Sequence, residues 1–303
     1  KTCLFLFCTS SKPFTMNAPS TIITQILRAS KLEDLVTLPN WKEEYKKLML
    51  LIHPDVCKLH NAALAAAKLN ILKDQFEKRA SLADESGSFQ TNGHQTIYTG
   101  NEDLLRRSLH HYNLLKTIRA DHFLKYLPQE MYWQGKNLVT THTNRAVPIS
   151  QLNLPQEHVN WILSRLLEFV ALLYQHGYTH GGLNPESVFV VPETHGIQVA
   201  SFYHLTPVGQ KITTINAQYK NWYPAFLFKE KRATPAIDIE LAKKIAIYLL
   251  GDPSGHGIKL RKTHNPAFID FVITQTNDPV ATYQQYRTML SAHFKKTFHI
   301  LNL

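Results

Sequence analysis

Cysteine is nearly missing from this 303-residue sequence. The three present, Cys3, Cys8 and Cys57, form an odd and scattered set. They make no disulfide framework, and no C-x-x-C pair or His/Cys spacing points to a zinc site. No metal and no cofactor are therefore expected, and the expected setting is the cytoplasm or another reducing compartment. Glycine numbers only 12 and proline 15, which excludes collagen-like and low-complexity architecture. Long apolar runs are also lacking. None approaches the roughly 20 residues that span a bilayer as a helix, so no membrane span is expected. Acid is the remaining shortage: 23 Asp and Glu stand against 33 Lys and Arg, a formal net charge of +10. That excess favours an acidic partner without identifying one. What is present is ordinary for a folded protein, with 44% hydrophobic and 18% charged residues. The length suits two domains.

The chain opens at Lys1, and its first methionine is Met16. Residues 3–8, CLFLFC, are apolar but shorter than the usual core of a signal peptide. Residues 1–19 are expected to be a peripheral extension, with folding information starting near Met16. Helical periodicity begins at about Ser20, where Ile22, Ile23, Ile26 and Leu27 form one stripe. Pro39 interrupts it, and Asn40 is a candidate N-cap. In WKEEYKKLMLLI, Trp41, Tyr45, Leu48 and Ile52 share a face, while Lys42, Lys46 and Lys47 lie mostly off it. Pro54 ends that helix, since proline lacks the N–H and disfavours helical geometry in the residue before it. A third helix is expected from Asn61 to Arg79, with Leu64, Leu69, Leu72 and Phe76 on its apolar side.

Residues 81–96 are polar, carry Gly87 and Gly93, and read as a linker. Beyond them the pattern predicts a short strand at Ile97 and Tyr98 and a helix over 102–118. A strand over 136–141 and a long helix over 156–176 follow. Two strands are expected at 187–191 and 197–200, then helices near 237–250, 266–275 and 280–296. The fold class read from this order is mainly α with α+β.

The arrangement of helix, basic helix, His53-Pro54-Asp55 and helix over residues 20–80, with Lys68-Leu69-Asn70 in the third helix, resembles the J-domain. The resemblance implies contact with the ATPase of a DnaK-type heat-shock-70 chaperone. Asp55 would pair with an arginine of the chaperone, Lys42, Lys46 and Lys47 would steer toward an acidic patch, His53 would fix the loop, and Pro54 would set its backbone. Such a module performs no chemistry itself; it biases the chaperone by binding one state better than another. Two plainer readings stay open: Asp55 as a cap on the next segment, and the lysines as a solvated face. The sequence departs from the family in the long segment between the first two helices.

Residues 174–203, YQHGYTHGGLNPESVFVVPETHGIQVASFY, resemble the catalytic core of protein kinases. His180, Leu183, Pro185 and Glu186 match the loop pattern H-R-D-L-K-P-E-N, and Asp238 matches the aspartate that anchors that loop. The resemblance covers about residues 90–298 and is strongest after 155; it places the domain at 97–303, with a small lobe at 97–150 and a helical lobe at 151–303. Phosphoryl transfer needs charge positioned against phosphates, and the charged parts are missing. Gly182 stands at the catalytic base, Gly181 at the loop arginine, Asn184 at the loop lysine and Ser187 at the metal-binding asparagine. Ser201-Phe202-Tyr203 replaces D-F-G. No V-A-I-K lysine and no G-x-G-x-x-G loop are found, and too few residues precede the 102–118 helix for a full set of three strands. The expectation is a pseudokinase with a reduced small lobe, in which His180, Glu186 and Asp238 are structural. The remaining histidines show no ligand spacing, and His110-His111 reads as a surface pair.

The leading reading is a non-enzymatic co-chaperone. The first module recruits a heat-shock-70 ATPase, and the second binds a client protein or a multi-subunit assembly. The alternative is a structural subunit of a large assembly, with both modules as docking surfaces. A nucleic-acid-binding reading rests on basic clusters at Lys229, Lys231 and Arg232 and at Lys259, Arg261 and Lys262, near Trp222 and Phe228. A residual kinase is the fourth reading.

Overall fold

A computed structural model describes residues 18–36, 41–80, 82–295, 297 and 300–303. The expected extension over 1–19 falls almost entirely outside the described residues, as do Cys3, Cys8 and the candidate cap Asn40. The chain divides after Ala80 into two compact units.

The first unit holds three helices, α1 (Pro19–Arg28), α2 (Trp41–Ile52) and α3 (Ala62–Ala80). Pro19 opens α1, where an absent N–H leaves no bond unmade. Ile22, Ile23 and Ile26 of α1 and Leu48 and Ile52 of α2 are buried with α3 in one cluster. The buried stripe of α3 is Ala62, Ala65, Ala66, Leu69, Leu72 and Phe76, advancing by three and four residues. Leu64, expected on that face, is 59% exposed. Size suggested leucine, but the small alanines let the helices approach and make the contact. Trp41 sets its ring edge-on to Phe76 at 5.0 Å between centroids. Lys68 Nζ donates to the Leu27 carbonyl at 2.6 Å, satisfying a group that the end of α1 leaves open.

The second unit begins with a meander, β1 (Leu82–Asp84), β2 (Gly87–Thr91) and β3 (Gln95–Gly100). Helices α4 (Glu102–Lys116) and α5 (Asp121–Leu124) follow, then a hairpin of β4 (Glu130–Gln134) and β5 (Asn137–Thr141). These strands form one antiparallel sheet in the order β1-β2-β3-β5-β4. Thus strands stand where a linker over 81–96 was expected, the second unit begins at Ser81 instead of 97, and three strands precede α4 where fewer were expected. β1 and β2 have Gly, Ser, Asp or Gln in half of their positions and read locally as linker. Their stability comes from pairing with β3 and from single apolar anchors. Phe89 is fully buried and lies 5.3 Å from the Tyr98 ring. Gly87 pairs with Gly100, and a Cβ on either would collide with the backbone of the other strand.

The rest of the unit is mostly helical. It contains β6 (Val147–Pro148), α6 (Gln156–Gln175), β7 (Tyr178–Thr179), β8 (Val188–Val191), β9 (Gly196–Val199) and β10 (Thr206–Pro207). Then come α7 (Ala225–Glu230), α8 (Pro235–Leu249), α9 (Pro266–Ile273) and α10 (Pro279–His293). β8 pairs with β6 and β9, and β7 with β10. α6 packs on α8, which is buried over most of its surface. Even Lys243 of α8 is enclosed; its Nζ donates to the Thr274 carbonyl at 2.7 Å and to Thr276 Oγ1 at 3.0 Å. Burial pushes its pKa down to about 8. The architecture is mixed, α in the first unit and α+β in the second. Among the described residues, no helix is long and apolar enough to cross a membrane.

Candidate functional site

Two loops carry the residues singled out from sequence, one in each unit. In the first unit α2 stops at Ile52, and His53, Pro54 and Asp55 follow as an exposed turn. The amides of Val56 and Cys57 donate to the His53 carbonyl at 2.9 and 2.8 Å, which closes the turn. The Asp55 side chain is 86% exposed and that of His53 48%. One imidazole nitrogen faces two partners: His53 Nδ1 is 3.3 Å from the Asp55 amide and 3.4 Å from its carboxylate. Unprotonated, it accepts from the amide; protonated, it pairs with the carboxylate. Either state holds the loop, and neither covers the carboxylate. Lys58 Nζ donates to the Pro54 carbonyl at 3.1 Å and tethers the far side of the turn.

Lys42, Lys46 and Lys47 are all exposed on α2. Lys42 and Lys46 share a face, and the rise of an α-helix puts Lys46 about 10 Å along the axis from His53. Glu43 and Glu44 sit in the first turn, where they suit the helix dipole and offset two of the three lysine charges.

The second loop is its opposite. His180, Gly181, Gly182, Leu183, Asn184, Pro185, Glu186 and Ser187 are all buried. Asp238, near the start of α8, accepts the His180 amide on Oδ2 at 2.6 Å and the Gly181 amide on Oδ1 at 2.8 Å. Burial pushes its pKa up to about 7, against the pull of those two N–H groups. His180 Nε2 lies 2.8 Å from the Ser201 carbonyl, and its Nδ1 accepts from the Gly182 amide at 3.3 Å. That set assigns the neutral ring with its proton on Nε2, and burial depresses its pKa to about 3. Asn184 Oδ1 accepts from the amides of Glu186 and Ser187 at 2.9 and 2.8 Å, while its Nδ2 donates to the Gly182 carbonyl at 3.0 Å. Ser187 Oγ accepts from the Asn184 amide at 2.9 Å and donates to the Asn184 carbonyl at 3.0 Å. Both oxygens of Glu186 lie within 3.0 Å of the Tyr219 hydroxyl, and burial raises its pKa to about 7. The structure therefore brings His180, Gly182, Asn184, Ser187, Ser201 and Asp238 into one network whose polar groups are occupied by each other. No acid or base in the loop is open to an incoming molecule.

Sequence reading missed the residues that seal this network. The turn between β1 and β2 brings Asp84, Glu85 and Ser86 onto the segment after Ser201. Tyr203 donates to Asp84 Oδ2 at 2.6 Å and contacts Ser86 Oγ at 3.0 Å. His204 Nε2 meets Glu85 Oε2 at 2.7 Å, with side-chain exposures of 3% and 14%. Its Nδ1 meets Thr214 Oγ1 at 2.9 Å. The His204 ring also fills the space beside the glycines. A Cβ on Gly182 would lie 2.5 Å from His204 Cδ2, and one on Gly181, whose φ is +72°, 2.9 Å from the His204 carbonyl oxygen. The local signal was an acidic pair, Asp84-Glu85, in a basic chain; its partners, 119 residues away, gave none. His110 is exposed as expected, but His111 is corrected. It turns inward, and its Nδ1 lies 2.7 Å from the Phe202 carbonyl.

Among the described residues, no group of three or more His, Cys, Asp or Glu side chains is placed to hold a metal ion. No family model matches the chain, and no curated protein matches it.

Proposed function

We propose that this chain is a non-enzymatic adaptor of a DnaK-type heat-shock-70 chaperone. The first unit is read as a J-domain and the second as a kinase-like scaffold that holds a client protein or an assembly. The observation that carries the reading is the exposed His53-Pro54-Asp55 turn, set between α2 and α3 with its carboxylate open to solvent. A buried or capping aspartate would have told against it. Asp55 would engage a cation on the chaperone, and Lys42 and Lys46 would speed encounter with an acidic surface.

For the second unit, the five-stranded sheet interrupted by α4 and the short α5, the loop at 180–187 and its anchor Asp238 support a kinase-like fold. Gly182, Asn184, Ser187 and Ser201 leave that fold without the charges that phosphoryl transfer uses. The Asp84–Glu85 turn and the His204 ring occupy the region beside them. Carboxylates there would repel the phosphates of a nucleotide.

The test is ATPase stimulation of a purified DnaK-type chaperone by the full chain. Wild type should stimulate, and Asp55→Asn should lose at least about tenfold of the effect, the scale on which one desolvated charge pair acts at an interface. If wild type and variant are equally inert, the chain is better read as a docking subunit. The exposed Leu50, Val56, Leu59 and Ile71 of the first unit favour that second reading. An unfolding midpoint that rises with magnesium-ATP would overturn the account of the second unit.

A further inference from the structure

The basic excess of the chain borders a groove at one place. Lys211, Ile212 and Thr213 form one wall, and Leu227, Phe228 and Lys231 the other, around about 410 Å³. Ile212 and Leu227 are buried and make an apolar floor, while Phe228 is 43% exposed. Lys211 and Lys231 are exposed on the rim. The walls are tied together. Lys211 bridges to Arg232, and the Ile212 amide donates to the Lys231 carbonyl at 2.8 Å. Lys231 ends α7 in a left-handed conformation, φ +52°, with its amide bonded to the Leu227 carbonyl at 2.8 Å. The groove is thus formed before anything enters it, which lowers the ordering cost of binding.

Three features describe an occupant. The amides of Thr213, Thr214 and Ile215, residues that line the groove, donate to no acceptor among the described residues and so remain open to another backbone. Lys211, Lys229, Lys231 and Arg232 form no ion pair among the described residues, and Glu230 is the single acid in their midst. At the other basic cluster, by contrast, Arg261 is paired with Asp270 at 2.5 Å. The floor would take one apolar side chain.

We propose that this groove binds an acidic, extended peptide segment of a partner protein. The peptide backbone meets the amides of 213–215, an apolar side chain rests against Phe228 over Ile212 and Leu227, and carboxylates face Lys211 and Lys231. A nucleic acid fits less well. Phe228 is the one aromatic ring of the groove and Lys220 Nζ already lies 5.8 Å from its centroid, so there is no run of rings on which successive bases could stack. The inference rests on the scaffold reading of the second unit and is independent of the chaperone contact.

The experiment uses the full chain and a fluorescein-labelled peptide, SEELFEES, followed by fluorescence polarisation. Saturable binding is expected. The double variant Lys211→Glu, Lys231→Glu should weaken it about tenfold or more, and Phe228→Ala about threefold or more. Lys259→Glu should leave it unchanged. Unfolding midpoints of the variants separate lost binding from lost fold. The proposal is overturned by absence of binding, by equal binding of the peptide with Gln for each Glu, or by equal binding of an all-Glu peptide. Tighter binding of a single-stranded RNA of the same length, or an equal loss in Lys259→Glu, overturns it too. Chaperone stimulation is assayed alongside. Its failure with peptide binding intact removes the chaperone reading alone, and the reverse pattern removes this one alone.

Discussion

Two loops of this chain begin with a histidine and carry a proline and an acid a few residues later, and their surroundings are opposite. Around His53 the side chains stand in water, with Asp55 86% exposed. Around His180 every residue from 180 to 187 is buried, and each polar side chain is bonded to a neighbour. The residue types are alike; the difference is what lies above them. Among the described residues of the first unit none covers its turn, whereas the His204 ring and the Asp84–Glu85 turn lie against the second loop. An acid in the open can serve a partner. An acid sealed within a network holds the fold, and its chemistry is visible only as a dependence of stability on pH.

The sharpest way to break this contrast is to put a carboxylate back into the sealed loop. Gly182→Asp would press a carboxylate against the His204 ring, whose Nε2 is already engaged by Glu85. A loss of roughly 3–5 kcal/mol in unfolding free energy is expected from overpacking and a buried charge. Urea unfolding measures it, and a stable Gly182→Asp protein would show that the loop is roomier than described.

A second measurement reads the sealed acids directly. Glu186 has a folded pKa raised to about 7 by burial, above its ordinary value of 4.5. Its contribution to stability is therefore complete below about pH 4.5 and is lost as the pH rises through about 7. His180, depressed to about 3, acts in the opposite sense, and its contribution is lost as the pH falls from 6.5 toward 3. Glu186→Gln keeps a hydrogen-bonding group for Tyr219 and removes one titration. Between pH 5 and pH 7, wild type should lose stability relative to Glu186→Gln by up to about 1.4 kcal/mol per pH unit. Parallel slopes for the two proteins would place Glu186 in contact with water.

The smallest effect belongs to the exposed loop. Asp55→Asn should change unfolding free energy by less than about 0.5 kcal/mol, because an exposed His–Asp contact contributes little. A stability loss of several times that size would make Asp55 a structural residue and remove it as a handle for a partner.

Local pattern was enough for the regular parts. The three-helix run of the first unit, α6, α8, α9 and α10 have apolar positions at helical spacing, and their observed bounds lie within a few residues of the expected ones. The turn at 53–55 was legible because proline acts on its own backbone and the one before it. The contact of Asp238 with the His180 and Gly181 amides has no local signature and was expected only through a resemblance. What was not legible has no local signature. β1 and β2 carry few apolar residues, and Phe89 alone anchors β2 in the core. The alanine face of α3 was overlooked because a contact face can be built from small residues as well as large ones. The closure by Glu85 and His204 joins positions 119 residues apart.

From composition and periodicity come a chain with excess positive charge, its helical segments, and a turn that projects a histidine and an aspartate. These follow from interactions within a few residues, which any chain of this sequence carries with it. Which carboxylates face water, which are enclosed, and which lysines frame an apolar groove were decided when distant segments packed together. Burial is a property of the neighbours, and the neighbours are set by the fold.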